Sequence, residues 1–145
     1  MYYVAYGSNL HLKDMKKRCP DACVVGSAIL KNTMLVFRGT NGESWLNVEP
    51  SENEHVPVGI WQIKPSDEAS MDIYEAYPDL YDKKMITVQL KDKTVKAMIY
   101  IMNEGYPEAI PSHTYLETCM EGYRDFGFDV DILQKAYDHT RTTSH

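Results

Sequence analysis

From Ala22 to Gln62 the sequence carries strand signals without a helical period, and this stretch limits the chain to folds built on sequence-adjacent strands. Val24-Val25, Ile29-Leu30 and Leu35-Val36-Phe37 are short runs of β-formers. Asn41-Gly42 is a strong hairpin-turn signal, because two residues that tolerate positive φ match the twist of the flanking strands. Trp45 to Val48 reads as a further strand, the polar segment Glu49 to Glu54 as a loop, and Val58 to Ile63 as another strand.

Helices are expected at three places around this core. Tyr2 to Tyr6 reads as a buried strand ended by Gly7. Ser8 and Asn9 are good helix N-caps, so a helix is expected to run from there to about Arg18, with Leu12, Met15 and Cys19 on its inner face and Pro20 ending it. Ser66 is expected to cap a second helix that turns Met71 and Tyr74 inward and finishes before Pro78. Met85 to Leu90, Lys91-Asp92-Lys93 and Thr94 to Met102 make a hairpin. Ser112 caps a helix to about Phe126 with Gly127 as its C′ residue, and a last helix covers about Asp129 to His139 before fraying. The pattern predicts an α+β domain whose sheet curls toward a small barrel.

The 145 residues fit one domain, 1–145, large enough for a real core. No apolar run approaches the roughly 20 residues of a membrane span, and the first residues lack the pattern of a signal peptide, so a cytoplasmic protein without membrane association is expected. A net charge of -6 argues against nucleic-acid binding, which needs clustered cations; Lys13, Lys16, Lys17 and Arg18 are diluted by Asp14. Three cysteines, Cys19, Cys23 and Cys119, are too few and too scattered for a disulfide framework and read as reduced thiols. Cys19 and Cys23 have half the spacing of a metal site without a second pair, and the five histidines, His139 and His145 among them, form no ligand pair.

Two segments carry candidate chemistry. Tyr6-Gly7-Ser8-Asn9-Leu10 is a strand that breaks at glycine and opens a helix, whose first N–H groups suit an anion; the same residues also fit an ordinary cap. It is neither a P-loop nor a nucleophile elbow. In Met71-Asp72-Ile73-Tyr74-Glu75-Ala76-Tyr77-Pro78, Glu75 falls at a helix C-terminus among bulky neighbours. Facing inward, it would have a raised pKa and serve as a base; facing outward, it would be an ordinary surface carboxylate. Six of the 11 tyrosines, Tyr6, Tyr74, Tyr77, Tyr81, Tyr100 and Tyr115, lie in or beside candidate segments, where they could wall a pocket or simply fill the core.

In this order, these features resemble the γ-glutamylcyclotransferase family, including its AIG2-like and γ-glutamylamine members. The likeness rests on Tyr6-Gly7-Ser8-Asn9-Leu10, Gly26-Ser27-Ala28-Ile29-Leu30, Val58-Gly59-Ile60-Trp61, Met71-Asp72-Ile73-Tyr74-Glu75, Pro78-Asp79-Leu80-Tyr81, Ala97-Met98-Ile99-Tyr100 and Pro111-Ser112-His113-Thr114-Tyr115, and spans about Tyr3 to Tyr123. The resemblance implies a small mixed β-barrel with flanking helices and a cofactor-free, metal-free reaction. In it the α-amine of an L-γ-glutamyl group attacks its own γ-carbonyl, releasing 5-oxoproline and an amine or amino acid. It further implies Glu75 as general acid/base, Tyr6, Gly7, Ser8, Asn9 and Leu10 as the substrate-holding loop, Tyr115 as a substrate contact, and Tyr81 and Tyr100 as pocket walls. The family usually has glycine after the catalytic Glu; here it is Ala76.

Two other readings compete: a non-catalytic pocket binding a glutamate-like acid at the same loop, and a serine hydrolase using Ser8 with His11. The leaving group is expected at a pocket mouth lined by Asn41 to Glu54 and Asn103 to Pro111. Acidic residues in Glu49–Glu54 hint at cationic amines, and the oligomeric state is open.

Overall fold

The computed structural model describes residues 1–143; His145 lies outside the described residues. Five strands form one mixed sheet: β1 (Tyr2–Ala5), β2 (Cys23–Thr40), β3 (Glu43–Gln62), β4 (Tyr81–Leu90) and β5 (Lys93–Met102), in the spatial order β2-β3-β1-β5-β4. The short β1 lies at the centre, antiparallel to β3 and parallel to β5. Four helices flank the sheet: α1 (Leu12–Arg18), α2 (Pro65–Tyr74), α3 (His113–Asp125) and α4 (Val130–Thr143). Among the described residues, no helix is long and apolar enough to cross a membrane.

The expected short runs between Ala22 and Gln62 merge into one long hairpin. Asn41-Gly42 makes its turn, with Gly42 at φ 87° and Thr40 opposite Glu43. β3 runs through the polar segment expected as a loop: Glu49 and Pro50 pair with Met34 and Thr33, while Ser51 to Glu54 bulge out before pairing resumes at His55. Register shifts at Val24/Gly26 and Lys31/Thr33 let strands this long bend, with Asn32 (φ 53°) and Asn53 (φ 65°) taking the left-handed conformations that asparagine tolerates. The bending curls the sheet until its edges approach: a β-carbon on Gly26 of β2 would lie 3.3 Å from Leu90 of β4. The two edges do not pair, so the barrel is open along this seam.

Local chemistry explains where the helices differ from expectation. Ser8 to Leu10 form a separate 3-10 turn, and α1 begins only at Leu12, capped by the His11 ring, whose Nδ1 accepts from the Asp14 amide at 3.1 Å. Met15 and Cys19 are buried as expected, but Leu12 is exposed. Pro65 takes the first position of α2, where its missing N–H costs nothing. The start of α2 is capped by buried Asp67, whose carboxylate accepts from the Lys64 amide at 2.9 Å while its own amide donates to the Lys64 carbonyl at 3.0 Å, so Ser66 lies inside the helix. At α3 the expectation holds: Ser112 Oγ accepts from the Tyr115 amide at 3.1 Å, and Gly127 (φ 72°) follows the C-cap. α4 continues past His139 to Thr143.

The 3-10 turn is wedged between β1 and α3, and Gly122 makes this approach possible. A β-carbon there would come within 2.8 Å of the His11 nitrogen and 2.9 Å of Leu10. Helix propensity alone would reward Gly122→Ala with up to ~1 kcal/mol. Overpacking against the turn is expected to outweigh that and cost about 1–3 kcal/mol. Urea denaturation measures the sign, and a gain in stability would mean the turn is not wedged.

Candidate active site

β1 delivers the chain into the 3-10 turn, α2 ends opposite it, and between them lies a cavity of about 270 Å³. Tyr6, Gly7, Ser8 and Asn9 line one side, Tyr74, Glu75 and Ala76 the other; Tyr3 and Tyr100 come from the central strands, Tyr81 from β4, and Tyr115 from α3. Eight of the nine residues named from sequence thus meet around one hollow. Leu10 does not: it is fully buried, with its side chain packed toward Gly59 and Gly122.

The tyrosine hydroxyls are tied to the scaffold. Tyr6 donates to the Tyr100 carbonyl at 2.7 Å, and Tyr81 donates to the Leu46 carbonyl at 2.6 Å. The Tyr115 hydroxyl accepts from the Leu46 amide at 3.0 Å, so two tyrosines clamp one residue of β3. Tyr100 donates to Asp72 at 2.6 Å, and Lys83 holds the other oxygen of that carboxylate at 2.9 Å. Burial pushes Tyr3, Tyr6, Tyr81 and Tyr115 well above the ordinary phenol range, so these walls are neutral. They are apolar bodies with satisfied polar tips.

Glu75 is the C-cap of α2, and its amide bonds the Met71 carbonyl at 2.8 Å. Its side chain points inward, partly exposed through the cavity mouth, and one carboxylate oxygen accepts from Asn9 Nδ2 at 3.4 Å. Burial pushes its pKa up from 4.5 to about 7, while the positive charge of Arg18 pulls the other way. Desolvation is the main cause; of the bulky neighbours Tyr74, Tyr77 and Pro78, Tyr74 lines the cavity and the other two do not. Tyr77 is instead exposed, with Lys83 Nζ 4.2 Å from its ring centroid.

Ala76 stands at φ 52°, in the left-handed region. A β-carbon there costs about 1 kcal/mol that a glycine would not, which gives the glycine usual in the resembling family a physical reason. The helix turns off sharply despite the alanine, and Ala76 lines the cavity.

Sequence reasoning missed Tyr3 and Leu80, which line the cavity but lie in a strand and a turn without a distinctive pattern. Of the two segments expected at the mouth, Asn41–Glu54 supplies Trp45 and Leu46 to the lining and Asn103–Pro111 supplies nothing; Glu49 is committed to a paired interaction with Arg38. Ser8 Oγ shares a hydrogen bond with Tyr74 Oη at 2.8 Å. Both nitrogens of His11 are engaged, Nδ1 by the α1 cap and Nε2 by Glu121 at 2.6 Å, so Ser8 has no base and the hydrolase reading fails. Cys19 is buried and Cys23 exposed, and no group of three or more ligating side chains converges among the described residues.

The family model described as gamma-glutamyl cyclotransferase, AIG2-like, matches residues 3–117. The chain belongs to this family. No curated protein matches the sequence. Among solved structures, one titled gamma-glutamyl cyclotransferase is 23% identical with a TM-score of 0.81, covering 94% of this chain and 85% of its own. An uncharacterized protein from Homo sapiens is 24% identical, also at 0.81, covering 93% and 85%. A yeast cyclotransferase described as specific to glutathione aligns over 100% of this chain and 98% of its own at a TM-score of 0.66, with 10% identity. These likenesses establish the mixed α+β fold of this cyclotransferase family.

A carboxyl titrating near 7 rather than 4.5 makes the fold less stable as pH rises through that interval, because the unfolded chain gives up the proton first. The loss is on the order of 2–3 kcal/mol, reduced by solvent entering the mouth. Glu75→Gln is therefore expected to raise stability at pH 8 and change it little at pH 4. Urea midpoints at the two pH values test this, and equal effects at both would show an ordinary carboxylate.

Proposed function

We infer that the protein is a γ-glutamyl cyclotransferase in which Glu75 moves the proton. The observation that carries this reading is the carboxyl held near neutrality across a closed-sided cavity from the turn Gly7-Ser8-Asn9. An acid–base group works best when its pKa lies near the working pH, since it must be both a competent base and a competent acid in one cycle.

The chemistry asks little else. A substrate's L-γ-glutamyl arm lies folded in the cavity, its α-carboxylate at the Ser8 and Asn9 amides, which have no acceptor within the 3-10 turn. The neutral α-amine attacks the γ-carbonyl carbon, a C–N bond forms, and Glu75 takes one proton from the attacking nitrogen. Collapse of the tetrahedral intermediate breaks the bond to the leaving nitrogen, to which Glu75 returns the proton. The products are 5-oxoproline and a free amine. Both reacting groups are on one molecule, so holding the folded conformer supplies much of the rate. Rigid tyrosine walls suit that task. Tyr115 would meet substrate with its ring, its hydroxyl being held by the Leu46 amide and the Cys119 side chain.

The leaving group would lie at the mouth, against Trp45, Leu46, Leu80 and Ala76. The cavity lining holds one carboxylic acid, Glu75, and no Lys, Arg or His. An amine without its own carboxylate therefore fits better than an amino acid, whose carboxylate would meet no cation.

Mass-spectrometric detection of 5-oxoproline from a panel of γ-glutamyl compounds tests the reading. The wild type is expected to release it, faster from γ-glutamyl amines than from γ-glutamyl amino acids, with Glu75→Gln slower by roughly 10²–10⁴-fold. Unchanged turnover in Glu75→Gln ends the assignment of that residue. Calorimetric binding of glutamate-like acids with no turnover across the panel would favour a non-catalytic pocket.

A further inference from the structure

Arg18 touches the site without lining it. It stands in the last turn of α1, with its guanidinium carbon 3.4 Å from the centroid of the Tyr74 ring. One of its terminal nitrogens donates to Asn9 Oδ1. That contact decides which way the Asn9 amide faces. With Oδ1 held by the guanidinium, Nδ2 is left to donate to the Tyr3 hydroxyl at 2.8 Å and to Glu75 at 3.4 Å. The flipped amide would set N–H against N–H at Arg18 and oxygen against oxygen at Glu75, losing both bonds. Tyr74, stacked under the same guanidinium, shares its hydroxyl with Ser8, so one cation grips both rims of the cavity.

We propose that Arg18 is a positioning residue for the acid/base Glu75, acting through the Asn9 amide and the Tyr74 ring. Facing Glu75 are Tyr3 from β1 and Tyr6 just after it, Tyr74 from α2, and Tyr81 and Tyr100 from β4 and β5. Tyr115 and Cys119 of α3 complete the set; burial keeps them neutral, the Cys119 thiol being pushed up to about 12. Among the described residues Arg18 is the cation whose charge opposes the effect of burial, and it acts beside the Asn9 donor that it orients. The fork and flat face of arginine matter as much as its charge, because a lysine could not stack on Tyr74 and bond Asn9 in the same geometry.

This inference rests on the cyclotransferase reading for its kinetic arm only. In pH–rate profiles the acidic limb of kcat/KM follows the Glu75 carboxylate, so Arg18→Met is expected to move that limb to higher pH and to lower kcat/KM at pH 6 by roughly tenfold or more. Arg18→Lys keeps the charge and is expected to keep the limb near its wild-type position while still lowering kcat; it also serves if Arg18→Met does not fold. A limb unmoved in Arg18→Met, or wild-type kcat in Arg18→Lys, overturns the proposal. The second arm needs no turnover. The fall in stability with pH that Glu75→Gln removes is expected to extend to higher pH in Arg18→Met, as urea midpoints would read. A protein inactive on every substrate but shifted in this second arm would sink the cyclotransferase reading and leave the role of Arg18 standing; an active protein with neither shift would do the reverse.

Discussion

The rest of the site depends on keeping one carboxyl out of water among groups that do not offset its charge. Glu75 ends a helix, faces a cavity with six tyrosines in its walls, and receives one long hydrogen bond from Asn9. A carboxylate in such a place is held up by desolvation and only partly relieved by a cation at one remove. The walls contribute by being already satisfied. Hydroxyls of Tyr6, Tyr81 and Tyr100 are spent on Tyr100, Leu46 and Asp72, so they cannot swing to solvate the acid. A polar-looking cavity thereby acts as a weakly polar one.

The fold exists, from this viewpoint, to bring two chain breaks together. One is the end of β1, where a 3-10 turn is pressed against Gly122 of α3; the other is the end of α2, where Ala76 turns the chain at positive φ. Both are costly places: the first leaves no room for a side chain, and the second holds an alanine where glycine would be easier. Strain and desolvation thus collect at the same few residues, as expected where geometry serves chemistry rather than stability.

Much of this was legible in the sequence because it was local. The Asn41-Gly42 turn, the Ser112 cap and the strand ended by Gly7 are each fixed by a few adjacent residues. The family resemblance placed Glu75 opposite Tyr6 to Asn9. What was not legible depends on distant partners. Glu49–Glu54 looks like a loop because its side chains are polar, yet Glu49 and Pro50 pair with β2 and only Ser51 to Glu54 bulge away from it, a division that polarity does not report. Ser8 and Asn9 look like caps, but their side chains are drawn to Tyr74, Tyr3 and Arg18 across the fold, and His11 takes over the cap. Leu10 belongs to the motif yet serves the core, since a 3-10 turn rotates it away from its neighbours. Arg18 looks like one member of a diluted basic cluster because nothing in its own helix shows a ring stacked beneath it.

The most direct test of the central claim is a carbon-13 NMR titration of the glutamate side-chain carboxyls, with the Glu75 resonance assigned by its loss in Glu75→Gln. The account predicts a midpoint of about 7 for that resonance. A midpoint near the ordinary 4.5 would contradict it, for then the carboxyl is solvated and nothing in the cavity has prepared it to exchange a proton at neutral pH.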